Sequence, residues 1–302
     1  MSKPVTCPDW AWKNGVWLPL AQAGPSLADA GWVQGATITD LLRTHGGRPF
    51  LLEEHLERFF STCLQVGITP RWGRHELAEV VQELLVRNQV GMEPAGAWCV
   101  VLLATPGALR HFKTGEEHGA TQIVHGYPLP VARYQQWFRA GAHLVASSVP
   151  AALAGPLDPR WKHRSRLHWW LAEQKAPGGT IPVLLTPRGE VTETALAHVA
   201  GIFSRNGQPV LVLPPESWVL AGVSARLLVR LAGELGLNVA RQPFTWDELA
   251  QADEILLTGS AFGLCGVSRV GESPVNWPGN WTKFLQTAWS AQAGEPLAAS
   301  FD

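Results

Sequence analysis

Short apolar, β-prone runs, each closed by turn residues, constrain this chain more than any other feature. In the second half they recur at 143–148, 181–185, 200–204, 210–213, 238–241 and 254–257. Each is shorter than an ordinary helix and far below the ~20 apolar residues of a membrane span. Asn206-Gly207 and Pro187-Arg188-Gly189 mark turns between them, since these residues supply the backbone angles that end a strand. Helix-period segments fall at 164–175 and 224–235, and Thr245-x-x-Glu248 has the form of a capping box. The alternation predicts a larger C-terminal domain with a closed or strongly curved sheet and helices on its outside.

The first 125 or so residues read differently. Asn14-Gly15 between two aromatic runs is a type I′ hairpin signal. A strand is expected at 37–44, turned by Gly46-Gly47 into a short second strand ending near Leu51. Apolar residues at helical spacing predict helices at 53–66 and 75–87, and 98–104 is a continuous β-prone run ended by Thr105-Pro106-Gly107. This is a small α+β unit. The GYPLPV stretch at 126–131 breaks the pattern, so the domains are expected at 1–127 and 128–302.

Composition removes several functions. A net charge of −1 gives no electrostatic case for nucleic acid or an anionic membrane surface. The N-terminus lacks the apolar run of a secretory signal, and the expected location is the cytoplasm. Cys7, Cys63, Cys99 and Cys265 fit neither CxxC nor zinc spacing, so they read as reduced thiols and no metal centre is expected. The 15 tryptophans read as buried anchors, compatible with an interface.

Six lysines stand against eighteen arginines, so a lysine inside a structured apolar segment needs an explanation. Lys162 lies in RWKHRSRLHWWLAEQK, at the expected start of a helix and beside His163, Arg164 and Arg166. A cation there opposes the helix dipole, and neighbouring cations lower a lysine pKa, as a nucleophilic amine requires. Downstream, Glu193 sits in a short β-prone segment where a carboxylate could pair with a protonated ring nitrogen. The run VLAGVSARLL enters a helix at 221–224, where free N–H groups and a hydroxyl could cradle a phosphate. The strand from Glu254 ends in small residues at Thr258-Gly259-Ser260-Ala261. Each of these features alone is also what an ordinary surface lysine, strand carboxylate, helix start or turn looks like.

Taken in order, they resemble the fold-type IV pyridoxal 5'-phosphate (PLP) enzymes: branched-chain aminotransferases, D-amino-acid aminotransferases and 4-amino-4-deoxychorismate lyases. The likeness runs from about Asn14 to Gly271. GATITDLLRTHGGRPFLLEEHLERF resembles the family's glycine-led strand, hairpin and His-x-x-Arg helix, which implies Arg58 as a phosphate-binding arginine. WKHRSRL resembles the segment of the Schiff-base lysine, and VTETALAHV the segment of the glutamate that pairs with the pyridine nitrogen. These imply Lys162 and Glu193. VLAGVSARLL resembles the Leu-x-Gly-Ile-Thr-Arg stretch, implying Leu220 against the ring face and Val223 and Ser224 on the phosphate. ADEILLTGSA resembles the Ala-Asp-Glu strand and its following loop, implying Ser260 on the phosphate and Ala261 near the substrate.

Departures from the family pattern concern the substrate. The family's Thr-Arg-Gly is Thr105-Pro106-Gly107, so that arginine is absent, and Arg110 and His111 lie just beyond it as candidate carboxylate ligands. Thr39 stands where an aromatic residue is common, His198 replaces an asparagine, Ala225 an arginine, and Leu167 the tyrosine of branched-chain enzymes. The resemblance implies an aminotransferase acting on a small amino acid and its keto acid, built as a homodimer with the active site at the domain junction. The alternatives are a 4-amino-4-deoxychorismate lyase and a non-catalytic PLP-binding homologue.

Overall fold

The computed structural model describes residues 9–88, 97–112, 119–153, 155 and 157–298. The chain divides into two compact units, one of residues 1–129 with 162–165 and the other of 130–161 with 166–302. Cys7 lies outside the described residues.

In the first unit β1 (Trp10–Lys13) and β2 (Val16–Pro19) form the hairpin, and Asn14 and Gly15 take φ of 49° and 88°. Positive φ at both turn positions is the signature of the expected I′ turn. After a short helix α1 (Ala30–Val33) come β3 (Ile38–His45), β4 (Arg48–Pro49), α2 (Leu52–Gln65), α3 (Arg74–Arg87), β5 (Trp98–Thr105) and β6 (Thr121–Pro128). The six strands lie in the order β2-β1-β6-β5-β3-β4, and α2 and α3 cover one face. Ile38, Leu42, Val100, Leu102 and Val124 point to that face and pack with Leu56, Phe59, Leu77 and Val81 of the helices. Gly126 to Pro128, which read as a break, pair instead with Val100 to Trp98 in β6. Gly126 is admitted because a Cβ there would meet the Cys99 carbonyl and the Trp98 ring at 2.9 Å.

The second unit contains α4 (Val131–Ala140), β7 (Ala142–Ala146), α5 (Leu167–Lys175), β8 (Ile181–Leu185), β9 (Val191–Thr194), β10 (His198–Arg205), β11 (Gln208–Leu213), α6 (Val223–Glu234), β12 (Asn238–Arg241), α7 (Trp246–Leu249), β13 (Glu254–Gly259), β14 (Gly263–Val270), β15 (Ser273–Pro274) and α8 (Asn280–Ala293). Pairing runs β10-β13-β14-β7-β8-β9, and β9 pairs back with β10 through Glu193 and His198. The sheet is therefore closed, a barrel of six strands, with β11 and β12 extending from β10. Every residue of β13 is buried, because the barrel interior takes one face and α6 and α8 the other. That explains its unbroken apolar run.

One expectation needs correction. The helix expected from 164 begins at Leu167, and Lys162 to Arg164 are extended, with Thr39 N–H donating to the Lys162 carbonyl and Arg164 N–H to the Thr37 carbonyl, both at 2.9 Å. Strand pairing satisfies these backbone groups in place of a helical turn, so Lys162 faces no helix dipole. The elements α4, β14, β15 and α8 carried no signal in the sequence. In β14 two glycines hide the strand: a Cβ on Gly263 would lie 2.6 Å from Leu297, and one on Gly266 would lie 2.7 Å from Trp277.

Candidate active site

Two clusters of functional side chains stand out, one in each unit. The first is built on β3 and α2. Asp40 sits on the helix-covered face of β3 and is fully buried. A buried carboxylate must be compensated, and here Arg58 grips it with two bonds, Nε to Oδ2 at 2.8 Å and Nη2 to Oδ1 at 2.7 Å. His55 Nδ1 lies 2.7 Å from the same Oδ1. The spacing of His55 and Arg58, one helical turn apart, lets both reach one strand residue. Burial alone would raise the Asp40 pKa, but Arg58 and His55 outweigh it and hold the carboxyl well below its ordinary range. Burial pushes the His55 pKa down, Arg58 and Lys162 push the same way, and Asp40 opposes them. His55 is therefore the neutral, hydrogen-bonded member of the cluster.

Lys162 belongs to this unit although its neighbours in sequence belong mostly to the other. Its segment lies antiparallel along the edge of β3, with Ile38 opposite His163. Ser165 pins the segment through Oγ to the Gly35 carbonyl at 2.9 Å. Thr39 is buried on the face opposite Asp40, its hydroxyl donating to the Leu102 carbonyl at 3.1 Å. Arg110 and His111 sit on an exposed turn after β5, where the His111 ring stacks on Phe112 at 4.4 Å.

The second cluster lies where the barrel closes. Both carboxylate oxygens of Glu193 face the Leu220 N–H, at 3.2 and 3.3 Å, and Oε2 lies 3.8 Å from His198 Nε2. Leu220 enters the loop leading to α6. Gly222 is the N-cap of that helix and no side chain caps it. A Cβ on Gly222 would stand 2.3 Å from His198 Nε2, so glycine here is the condition for the imidazole to lie against the helix start. Ser224, on the first turn, meets Ser260 in the β13–β14 turn with hydroxyls 3.4 Å apart. An uncapped helix N-terminus with two converging hydroxyls is a donor set that a phosphate dianion can fill. Val223 contributes a first-turn N–H, and Ala261 is partly exposed in the same turn as Ser260.

Among the described residues no three His, Cys, Asp or Glu side chains gather to hold a metal, and no helix is long and apolar enough to cross a membrane. Cys63, Cys99 and Cys265 are buried and unpaired in disulfides. Burial pushes the Cys63 and Cys99 thiols up, to about 12 and about 11, so neither is a nucleophile at neutral pH.

The profile of the amino-transferase class IV family matches residues 37–270. The chain belongs to that family. D-alanine aminotransferase of Bacillus licheniformis is 25% identical over 284 residues, covering 91% of this chain and 94% of that one. Among solved structures, the T.th. branched-chain amino acid aminotransferase complexed with N-(5'-phosphopyridoxyl)-L-glutamate superposes with a TM-score of 0.80 at 24% identity. The match covers 95% of both chains and shows a shared fold. The 4-amino-4-deoxychorismate lyase from Pseudomonas aeruginosa gives 0.72 at 25% identity, covering 93% of this chain and 98% of that one. As a class IV family member the chain is a PLP-dependent enzyme with the fold-type IV architecture.

Sequence reasoning missed Asp40, although an acidic residue between Thr39 and two leucines, ahead of His55-x-x-Arg58, was a visible signal. It also passed over His198 as a neighbour of Glu193, which the short turn at 194–197 between β9 and β10 folds back beside it.

Proposed function

We propose that this protein is an aminotransferase acting on a small amino acid, of the D-amino-acid or branched-chain type, with Lys162 as the covalent anchor of PLP. The observation that carries the assignment of residues is the uncapped start of α6 with Ser224 and Ser260 converging on it, matched by a carboxylate at Glu193 already held by a backbone N–H. In this reading Ser224, Ser260, the Val223 N–H and Arg58 bind the phosphate, and Leu220 lies against the ring. Asp40 fixes one edge of the Arg58 guanidinium, which limits how that cation can turn.

Bound PLP supplies an electron sink for negative charge developing at the substrate Cα. The chain's own residues do the rest. Glu193 keeps a proton on the ring nitrogen, and the Leu220 N–H holds that carboxylate in place. The Lys162 amine takes the proton from the substrate Cα and returns it, acting as general acid and base. Thr39 and Ala261 border the substrate. The reading carries with it a homodimer working in the cytoplasm, supported by the family expectation and by the exposed Leu167 and Trp170 on α5.

The lyase alternative is supported by the KHRSRL form of the lysine segment and the likeness to the Pseudomonas aeruginosa enzyme. One experiment separates the two. The purified protein is mixed with a panel of L- and D-amino acids while its visible absorption is followed, with Lys162→Ala as the control that loses the band. Conversion to the pyridoxamine form with a small amino acid supports transamination. Pyruvate release from 4-amino-4-deoxychorismate without an amino acceptor overturns it in favour of the lyase.

A further inference from the structure

Glu193 has a second neighbour besides the Leu220 N–H, and the reading above gives that neighbour no role. His198 stands opposite Glu193 on the antiparallel strands β9 and β10, and opposite Thr258 on β13. Residues opposed in this way project to the same face, so the three form a row across three strands. Thr258 is committed elsewhere, its hydroxyl donating to the Gly263 carbonyl at 2.9 Å. The turn joining β9 to β10 is fastened from within and from outside. Thr194 Oγ1 accepts from the Ala197 N–H at 2.9 Å and the Leu196 N–H at 3.2 Å, and Thr194 N–H donates to the Ala197 carbonyl at 2.9 Å. Arg166 Nη2 donates to the Ala195 carbonyl from outside the turn. The backbone thus sets where Glu193 and His198 start, and only their side-chain torsions remain to be fixed.

His198 is buried, and its ring is confined on two sides. Nε2 lies 3.8 Å from Glu193 Oε2. The same edge of the ring rests on Gly222, the N-cap of α6, where a Cβ would stand 2.3 Å from Nε2 and 2.7 Å from Cδ2. The imidazole is therefore wedged between the strand that carries it and the helix start, and Nε2 stays beside the carboxylate. Asparagine, which the resemblance sets at this position, ends one bond short of the place of Nε2. A separation of 3.8 Å is an electrostatic contact and not a hydrogen bond, but little water is present to weaken it. A carboxylate facing one imidazole nitrogen draws the ring's proton to that nitrogen. The Leu220 N–H is divided between both carboxylate oxygens, at 3.2 and 3.3 Å, which leaves a second donor useful.

We infer that His198 is a positioning residue that acts through Glu193, holding Oε2 and keeping the carboxylate ionised so that the shared proton rests on the PLP ring nitrogen. This rests on the reading of Glu193 as the partner of that nitrogen. The physical reason is the competition of two bases for one proton. A donor directed at a carboxylate lowers its affinity for a proton, so the ring nitrogen keeps what Glu193 does not take. Without the imidazole, Glu193 becomes the stronger base or turns away from the ring, and in both cases the ring nitrogen loses proton occupancy. The phosphate contacts of Ser224 and Ser260 are separate from this effect, so His198 governs the electronic state of the cofactor far more than its affinity.

The test loads the protein with PLP carrying 15N at the ring nitrogen and reads its chemical shift at neutral pH, with PLP affinity and thermal unfolding measured alongside. The parent should show a protonated ring nitrogen. His198→Leu fills the space without a donor, and the ratio of protonated to neutral nitrogen should fall ~10-fold, the effect of one bond to a charged group. His198→Gln carries an amide N–H the same number of bonds from Cα as Nε2, and should keep that ratio within ~2-fold of the parent. PLP affinity should stay within ~3-fold in both, because the phosphate contacts are intact. His198→Met, more adaptable in shape, repeats the test should the leucine variant fail to fold. The inference is overturned if the apolar variant leaves the shift at the parent's value, or if His198→Gln moves it as far. It is also overturned if the shift changes only together with an equal loss of PLP affinity and unfolding temperature, the mark of a purely structural role. Glu193→Gln separates the two claims. An unchanged shift there refutes the assignment of Glu193 itself, whereas a changed shift there with none in His198→Leu refutes only the role of His198.

Discussion

Replacing Asp40 by asparagine should unfold the first unit far more readily than any surface change, and the structure sets the size of the effect. The carboxylate takes Arg58 Nε and Nη2 and lies 2.7 Å from His55 Nδ1, all with no exposure of its own. Asparagine keeps the volume but removes the charge, and its amide nitrogen turns a donor toward a guanidinium that only donates. Breaking one partner out of a buried ion pair costs ~3–5 kcal/mol, because the remaining charge stays buried without compensation. For a unit of this size that corresponds to a loss of on the order of 10–20 °C in the transition of that unit. Urea midpoints of the parent and variant measure it, and amide exchange in β3 and α2 localises it to the first unit.

Asp40→Asn combined with Arg58→Met should cost less than the sum of the two by at least ~1 kcal/mol, since the second change removes the orphaned cation. The pH dependence carries the same signature. A carboxyl whose folded pKa lies below its unfolded value of ~3.9 contributes stability that is fully present above that pH and is lost as pH falls through the folded value. The acid-side fall in stability should therefore be shallower in Asp40→Asn. A cost below ~1 kcal/mol, or strict additivity with Arg58→Met, would refute the reasoning that this pair is the compensated charge of the first core.

Two further changes probe the second unit. Gly222→Ala meets no backbone obstacle at φ −71°, but its Cβ would displace His198, so a cost of ~1–3 kcal/mol and at least ~10-fold weaker PLP binding are expected; His198→Ala should rescue most of both, and a neutral Gly222→Ala in the parent would contradict the account. Glu254→Gln disrupts the carboxylate that accepts from Trp281 N at 2.9 Å and from Thr282 N and Oγ at 2.8 Å. With a buried helix start losing a charged cap and facing an amide donor, ~2–4 kcal/mol should be lost in thermal unfolding, and less than ~1 kcal/mol would show that α8 does not depend on it.

Where interactions are local, the sequence was sufficient. The Asn14-Gly15 hairpin, the α2 and α3 helices and the Thr245–Glu248 box, seen as Glu248 N–H to Thr245 Oγ at 3.2 Å and Thr245 N–H to the Glu248 carboxylate at 2.6 Å, all arise from residues within a turn or two of each other. The ordered motifs around Arg58, Lys162, Glu193 and Ser224 placed the chain among class IV aminotransferases for the same reason: each is a short segment with its own chemistry. A curved or closed sheet was legible from strand lengths, while the long-range pairings that close it, β10 with β13 and β14 with β7, were not.

What tertiary structure alone decided involves partners far apart in sequence. Helix α8 starts where it does because Glu254, from a strand 27 residues earlier, supplies its cap. Strand β14 exists despite its glycines because they admit Leu297 and Trp277. Lys162 lies on a strand edge and not on a helix because β3 offers its backbone an antiparallel partner, and that pairing puts its side chain on the face of Thr39, opposite that of Asp40. Backbone hydrogen bonding and close packing are satisfied by whichever groups the fold brings near, and periodicity along the chain carries no information about them.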